Sequence, residues 1–444
     1  MQQPSHFKNR YILGICFISA LGGYLFGFDF AVISGALPFL QKQFTFNSYW
    51  EGFATGILAI GAIVGCIFAG HVADRYGRRP GLMLAAALFA ISSLAMALAP
   101  NRDFFLAARF MAGAGVGMAS MLSPMYISEI APAAIRGRLV AMNQLTVVLG
   151  ILITNLVNYA FRNTGADAWR YMFGCGVVPS GLFFIGAYFL PESPRWLIRN
   201  NKEHLARSIL GKIGDETFVK DSMSLIKRSF IGVVGINYAA VLKRAVLPAV
   251  LTGIGLAVFQ QFCGINTVFN YAPKIFQSIG ASQDDQLLQT VFIGVVNLVF
   301  TILAMALVDK LGRKPLMLIG AGGLCLFYLL IVNALHSGSG MLSVWLLAAI
   351  GTYAMTLAPV IWVLISEIFP VQIRSAAITI AVISLWLAYF VLVFTFPILF
   401  EHLKENTFYI YAGICAIGFV FVWVRIKETK GKNLEEVEQP IAMH

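Results

Sequence analysis

The sequence predicts an all-α membrane protein with twelve transmembrane helices arranged as two repeats of six. Apolar residues form 59% of the 444 residues and charged residues only 12%, and the mean hydropathy is +0.78. Soluble domains normally carry about twice that share of charged residues. The composition therefore indicates a protein of the lipid bilayer, and two further patterns, described below, indicate the number and grouping of its helices.

Twelve apolar stretches are long enough to cross a bilayer, because about 20 residues of helix span a hydrocarbon core of roughly 30 Å. They lie at about residues 11–40, 50–72, 81–99, 104–127, 141–162, 169–190, 246–272, 287–308, 315–335, 343–365, 375–399 and 407–425. The first follows Lys8 and Arg10 but is too long for a signal-peptide core, and it ends in no convincing cleavage site. We therefore expect it to be the first transmembrane helix.

The basic residues predict the orientation, because Lys and Arg are retained in cytoplasmic loops. If the N-terminus is cytoplasmic, the outer loops hold only Lys42, Arg102, Arg162, Arg170, Lys274 and Lys404. We expect a multi-pass protein of the cell (inner) membrane with both termini in the cytoplasm. The net charge of +11 is then a topology signal, and no nucleic-acid partner is expected.

The sequence gives no sign of a catalytic or metal site. All six cysteines lie in the apolar stretches, and neither a Cys-x-x-Cys motif nor an outer pair occurs. No histidine lies in the middle of a span, and no nucleophile and base form a constellation. We expect no enzyme activity, no metal and no cofactor.

Three motifs recur at nearly one spacing, which indicates an internal repeat. GHVADRYGRR recurs as ALVDKLGRK, SEIAPAAIRG recurs as SEIFPVQIRS, and PESPRWL is echoed weakly by KETKGKNL. The intervals between the matching carboxylates are 235, 238 and 236 residues, for Asp74 and Asp309, Glu129 and Glu367, and Glu192 and Glu428. The chain therefore consists of two tandem six-helix halves.

This repeat predicts the domain boundaries. The N-terminal half covers residues 1–190 and the C-terminal half 246–426, with a short cytoplasmic tail at 427–444. The connector, residues 191–245, is the only long polar segment. Within it, EHLARSILGKIG and ETFVKDSMSLIKRSF are typical of short amphipathic helices on the cytoplasmic side.

Five motifs in order, DRYGRR, PESPRWL, QQFCGIN, PVIWVLISEIFP and ETKGKNLEE, closely resemble the sugar porter family of the major facilitator superfamily. The resemblance covers nearly the whole chain. The family includes proton-coupled bacterial xylose and hexose symporters and animal glucose uniporters. The resemblance implies the major facilitator fold, a site near the bilayer midplane between the halves, and transport by alternating access, and we expect the monomer to be functional.

Charged residues cluster at the predicted cytoplasmic helix ends. In the resembled family, such charges form inter-helix pairs that hold the cytoplasmic side shut in the outward-facing state. The resemblance implies this gating role for Asp74, Arg78, Glu129, Arg136, Glu192, Arg195, Asp309, Arg313, Glu367, Arg374 and Glu428. The alternative is that these charges only follow the positive-inside rule and cap helices.

The predicted spans carry almost no charge at mid-depth apart from Asp29 and Arg109, so we expect a neutral ligand. Amide side chains both donate and accept hydrogen bonds, which suits sugar hydroxyls, and aromatic faces can stack on a pyranose ring. The predicted sugar-binding residues are Phe26, Gln144, Gln260, Gln261, Asn266, Asn297, Trp362 and Trp386. The alternatives are amides that join helices and tryptophans that anchor at the interface.

The identity of the sugar rests on departures from the family pattern. Asn270 precedes Tyr271 where many members have two tyrosines, and Leu385 precedes Trp386 where relatives carry Gln or Asn. Ile151 matches the glucose-type members, where a xylose symporter has Gln. On Ile151 we favour a hexose over a pentose.

Asp29 is the feature that predicts proton coupling. An ionised Asp at mid-membrane costs roughly 2.5 to 3.5 kcal/mol on insertion scales, so it needs a partner or a proton. Arg109 is the only basic residue well inside a nearby span. In the resembled family, proton-coupled bacterial members have Asp at this position and uniporting animal members have Asn. We therefore expect a monosaccharide-proton symporter in which Asp29 and Arg109 couple the proton.

Three alternatives stay open for this chain. The first is a static Asp29 and Arg109 pair that only fixes helix packing, and the second is a facilitative uniporter. The third is a non-transporting sugar sensor, against which the segment after the last span is only about 18 residues long and offers no signalling domain.

Overall fold

The computed structural model describes residues 9–132, 135–229, 241–244, 246–369, 373–426 and 428, and its long elements there are α-helices. We number them in chain order: α1 Asn9–Phe44, α2 Ser48–Arg75, α3 Arg78–Ala97, α4 Arg102–Ile130, α5 Arg136–Phe161, α6 Ala168–Gly174, α7 Val177–Phe189, α8 Pro194–Arg199, α9 Glu203–Ile213, α10 Glu216–Ser229, α11 Leu247–Phe262, α12 Ile265–Gln277, α13 Gln283–Leu311, α14 Arg313–Ser337, α15 Leu342–Met355, α16 Leu357–Glu367, α17 Arg374–Leu403 and α18 Thr407–Arg425.

Eleven stretches of the described chain are long and apolar enough to cross a membrane. One of them, Ala376–Arg425, has 50 residues, more than twice the length that a single crossing needs. The structure divides it after Leu403, where Lys404 takes a φ of 48° and a 3₁₀ turn leads into α18. The described residues therefore provide twelve crossings, which confirms the predicted number.

Three of these crossings are built from two helices each, a feature that the sequence analysis did not predict. They are α6 with α7, α11 with α12, and α15 with α16. Between α11 and α12, Gly264 has a φ of 86°, and a Cβ there would lie 2.5 Å from the ring of Tyr411. Glycine is therefore required at this break. Interrupted helices free backbone polar groups, which a membrane protein tolerates where the backbone is buried in protein or lines a cavity.

The chain divides into two compact units. The first consists of Met1–Asp29, Gly61–Gly150 and Phe173–Gly235, and the second of Phe30–Ile60, Ile151–Met172 and Ile236–His444. Helices α1, α2, α5 and α6 therefore contribute residues to both units. This grouping follows packing rather than the tandem motifs, and the two predicted halves remain a prediction.

The connector helices lie in the segments predicted to be amphipathic. α9 and α10 occupy the two quoted stretches, and α8 precedes them. Their apolar faces pack around a small core made of Trp196, Leu197, Ile198 and Ala206, with Ile209, Met223 and Ile226 against it. The amphipathic pattern thus serves a local core rather than a membrane surface.

Candidate functional site

Asp29 on α1 and Arg109 on α4 form a fully buried ion pair, with each side chain 1% exposed. Nη1 of Arg109 donates to Oδ1 of Asp29 at 3.2 Å. Nη2 donates to the backbone carbonyl oxygen of Asp29 at 3.1 Å, and the guanidinium carbon lies 5.7 Å from the ring centre of Phe173. The structure confirms that these two residues meet.

Only one carboxylate oxygen of Asp29 takes part in this pair. Oδ2 is buried and has no hydrogen-bond partner among the described residues. A buried acceptor without a partner is costly when the group is ionised. A proton on Oδ2 would remove the charge, and the bond from Arg109 to the Asp29 backbone would still hold the guanidinium in place. The geometry therefore accommodates both protonation states.

A cluster of amides surrounds the break between α11 and α12. Gln261 accepts through Oε1 from Nδ2 of Asn266 at 2.5 Å, and Asn270 donates to the backbone oxygen of Asn266 at 2.7 Å. Gln260 donates to the backbone oxygen of Ala358 at 3.4 Å. These amides are buried. The break thus brings together Gln260, Gln261 and Asn266, which the sequence assigned to one site.

Aromatic residues on α1 and α17 extend this amide cluster. Nδ2 of Asn270 donates to the hydroxyl of Tyr389 at 3.1 Å, and the ring centre of Tyr389 lies 5.9 Å from that of Trp386 in an edge-to-face arrangement. Tyr389 also lies 5.6 Å from the ring of Phe30. The sequence analysis missed Tyr389 and Phe30. The available signal was spacing, because Tyr389 follows Trp386 by three residues and shares its helix face.

The other predicted binding residues lie on separate helices. Asn297 on α13 is buried, and Trp362 on α16 is 45% exposed. In the first unit, Phe26 on α1 is half-buried and Gln144 on α5 is exposed. Trp362 and Gln144 therefore have side-chain surface that the protein's own packing leaves open.

Arg78, at the start of α3, is the centre of a charged cluster at the predicted cytoplasmic face. Its guanidinium binds both carboxylate oxygens of Glu129, at 2.9 and 2.8 Å, and the hydroxyl of Ser193 also donates to Glu129. Asp74 lies 3.9 Å from Arg78 and 3.0 Å from Arg199. The bidentate pair is of the strong, charge-assisted kind.

Glu192 caps the N-terminus of α3. Its carboxylate accepts from the backbone N–H of Arg78 at 2.8 Å, of Arg79 at 3.2 Å and of Ser193 at 2.8 Å. The first N–H groups of a helix lack partners within the helix and attract an anion. Burial raises the pKa of Glu192 above its ordinary value, and the three backbone hydrogen bonds oppose that rise.

Glu428 repeats this contact in the second half of the chain. Its two carboxylate oxygens accept from the backbone N–H of Arg313 and of Lys314, each at 3.0 Å. The residue before each capped helix is a glycine with positive φ, 106° at Gly77 before α3 and 90° at Gly312 before α14. The weak sequence echo around Glu428 therefore corresponds to the same local structure.

The remaining predicted gating residues make local contacts or lie outside the described part. Arg136 donates to the Ala131 carbonyl at 3.5 Å, and Arg374 donates twice to the Phe369 carbonyl, at 3.0 and 2.9 Å. Arg195 is exposed on α8. The predicted roles of Asp309 and Glu367 fall on side chains outside the described residues.

Lys274 corrects one detail of the predicted topology. The sequence analysis placed it in an outer loop, but α12 continues to Gln277. Its ammonium group lies 2.5 Å from the carboxylate of Glu51 on α2. The predicted span ended before Lys274, because the sequence does not show whether a single charged residue faces water or a buried partner.

The chain is similar to known transporters over nearly its whole length. The family model described as "Sugar (and other) transporter" matches residues 15–440. The D-xylose-proton symporter of Escherichia coli (strain K12) is 39% identical over 475 residues, covering 98% of this chain and 96% of that protein. The glucose transporter GlcP of Staphylococcus epidermidis is 37% identical, covering 97% of each.

A solved structure gives the same result for the fold. The xylose transporter XylE from E. coli, in a partially occluded inward open conformation, superposes with a TM-score of 0.86 and 37% sequence identity. The match covers 96% of this chain and 100% of that chain.

Proposed function

The chain belongs to the sugar transporter family of the major facilitator superfamily, and on that premise we propose that it carries a neutral monosaccharide together with a proton. It is an integral multi-pass membrane protein with the major facilitator fold. We place it in the inner membrane, with both termini in the cytoplasm, because the basic residues are concentrated in the segments on that side.

The amide cluster at the break of α11 supports the binding of a sugar. Gln261, Asn266 and Asn270 hold one another in a hydrogen-bonded chain, so their positions are set before a ligand arrives. The side-chain amide oxygen Oε1 of Gln260 is buried and has no hydrogen-bond partner among the described residues. A sugar hydroxyl is a suitable donor to such an oxygen, because an unpaired buried acceptor costs about 1–3 kcal/mol.

A hexose is the substrate that we propose. The choice of a hexose rests on Ile151, which is buried on α5. The similar proteins named above do not decide it, because one is a D-xylose symporter and one is a glucose transporter. Trp386 and the exposed ring of Trp362 are proposed to contact the apolar faces of the sugar ring.

The buried pair of Asp29 and Arg109 is the observation that carries proton coupling. A single bond joins the two charges, the second carboxylate oxygen is unsatisfied, and Arg109 keeps an independent bond to the backbone. Asp29 can therefore take up or lose a proton without displacing its partner. In a transporter that opens to each side in turn, such a group loads a proton on one side and releases it on the other.

The cytoplasmic clusters are proposed to stabilise the state that is closed on the inside. The pair of Arg78 and Glu129 joins α3 to α4. The caps formed by Glu192 and Glu428 join the first turns of α3 and α14 to the segments that follow each predicted half. Opening this side would require some of these contacts to break, which sets a conformational equilibrium that mutation can shift.

Transport assays on purified protein in proteoliposomes test this proposal. A panel of labelled pentoses and hexoses is offered with and without an inwardly directed proton gradient. We expect saturable uptake that is largest for a hexose and is driven uphill by the gradient. Uptake that never exceeds the outside concentration would make the protein a uniporter, and no saturable uptake of any sugar would overturn the proposal.

A further inference from the structure

Glu51 and Lys274 form a further ion pair, in which Glu51 is buried and Lys274 is partly buried. Nζ of Lys274 lies 2.5 Å from Oε2 of Glu51, and their side chains are 19% and 4% exposed. Glu51 is in the first turn of α2, and Lys274 is in the last turn of α12. The two residues are 223 positions apart, one in each predicted half.

Further contacts join α2 and α5 to other helices of the predicted C-terminal half. Ser48 of α2 donates to Glu401 of α17, and Asn155 of α5 donates to the backbone oxygen of Thr290 on α13 at 2.7 Å. A Cβ at Gly52 would lie 2.2 Å from the backbone oxygen of Phe394, so the backbones of α2 and α17 touch there. The outer segments of α2 and α5 are thus held against helices of the predicted C-terminal half.

Burial of the carboxylate distinguishes Glu51 and Lys274 from another ion pair on the predicted outer side, Arg162 and Asp284. Arg162 and Asp284 lie 2.8 Å apart, but their side chains are 21% and 58% exposed. Exposed pairs contribute little, whereas a buried charge that loses its partner is strongly destabilising. Of these two pairs, the one with the buried carboxylate of Glu51 therefore makes the closed arrangement depend more on both partners being present.

Lys274 also connects this contact to the sugar site. Lys274 and Asn270 line the same cleft, and Asn270 belongs to the amide cluster. This small cleft is also lined by Ser34, Leu37 and Gln277 among others. Movement of α12 away from α2 would open this cleft toward the outer side and separate Glu51 from Lys274.

From these contacts we propose that Glu51 and Lys274 form an outer latch, an ion pair that holds the outer side of the sugar site closed and separates when the transporter opens outward. The inference rests on the proposed function, because a latch has a role only in alternating access. In the open arrangement both charges meet water, so each is solvated without its partner. In the closed arrangement each charge needs the other.

The test measures access from outside. Ser34, which is 1% exposed and lines the cleft, is changed to cysteine in a background lacking the six native cysteines. Labelling by a membrane-impermeant maleimide added outside is then followed over time. We expect slow labelling in this parent and labelling at least about tenfold faster in Glu51→Gln and Lys274→Met. The double exchange Glu51→Lys with Lys274→Glu should return the rate to within about threefold of the parent.

Matched variants separate the latch from general loosening. Arg162→Gln with Asp284→Asn removes the exposed pair on the predicted outer side and should leave the rate unchanged. Lys274→Arg keeps the charge and should label like the parent. If a stranded charge prevents folding, as size-exclusion chromatography will show, Glu51→Asp keeps the charge, shortens the side chain and should raise the rate severalfold.

The outcomes against the proposal are equally specific. Unchanged labelling in Glu51→Gln, Lys274→Met and Glu51→Asp would overturn it, as would a double exchange that labels as fast as the single variants. The assay needs neither sugar nor a proton gradient. A failure of the latch is therefore distinguishable from a failure of sugar transport, which only the uptake assay reports.

Discussion

Replacement of Asp29 by Asn removes the titratable group and keeps most of the local geometry. Asn has the same size and retains an oxygen that can accept from Nη1 of Arg109, which now lies 3.2 Å from Oδ1. The bond from Nη2 to the backbone oxygen of residue 29, at 3.1 Å, does not involve the side chain. We therefore expect Asp29→Asn to fold, to bind sugar and to move between its two states.

The size of the effect follows from the energy that one proton supplies. Moving one positive charge inward through 100 mV releases about 2.3 kcal/mol, and a tenfold gradient of a neutral sugar stores about 1.4 kcal/mol. One proton per sugar therefore sustains roughly 40-fold accumulation at that potential. In Asp29→Asn this ratio should fall to about one, because no group carries the proton.

Two vesicle assays separate coupling from transport. Uphill uptake driven by a proton gradient should be lost in Asp29→Asn, whereas exchange of internal for external sugar, which needs no net proton movement, should stay within about threefold of the wild type. Asp103→Asn is a control, because Asp103 lies on α4, the helix that carries Arg109, but its side chain is 79% exposed. Accumulation by Asp29→Asn equal to that of the wild type would refute proton coupling through Asp29 and leave it as a structural partner of Arg109.

Three further predictions concern the other buried polar contacts. Arg109→Gln should lower the free energy of unfolding by about 3–5 kcal/mol and also abolish exchange, because it strands a buried carboxylate. Chemical unfolding measures this loss against Arg102→Gln, a half-buried arginine in the first turn of the same helix, and equal losses would count against the prediction. Gln261→Ala should weaken sugar binding at least tenfold, or about 1.4 kcal/mol, without changing the melting temperature, because a ligand contact is removed while the helix backbone stays intact; calorimetry showing wild-type affinity would remove Gln261 from the site. Glu192→Gln should flatten the pH dependence of stability above pH 4.5. In the wild type the pKa of Glu192 is raised above 4.5 in the folded state, so the folded state binds more protons than the unfolded state and stability falls as pH rises from 4.5 toward the native pKa. Melting curves across this pH range check the prediction, and an unchanged slope in Glu192→Gln would contradict it.

The sequence by itself determined the features that depend on composition and spacing. Crossing a bilayer requires about 20 apolar residues, so the number of helices can be counted, and one repeat interval relates Asp74 to Asp309. The meeting of Asp29 and Arg109 was also predictable. In hydrocarbon a charge needs a partner, and the neighbouring spans offered only one arginine at that depth.

Only the tertiary structure decided where helices break and which polar groups meet across the fold. The break at Gly264 depends on the ring of Tyr411 packed against it, and Tyr411 is far from Gly264 in the sequence. The sequence predicted a loop position for Lys274, because its partner Glu51 is 223 positions away and no local pattern shows the pair. An apolar pattern records burial in lipid or protein but not the identity of the neighbour. The pairing of Glu51 with Lys274, and of Asn270 with Tyr389, therefore emerges only when the helices are packed.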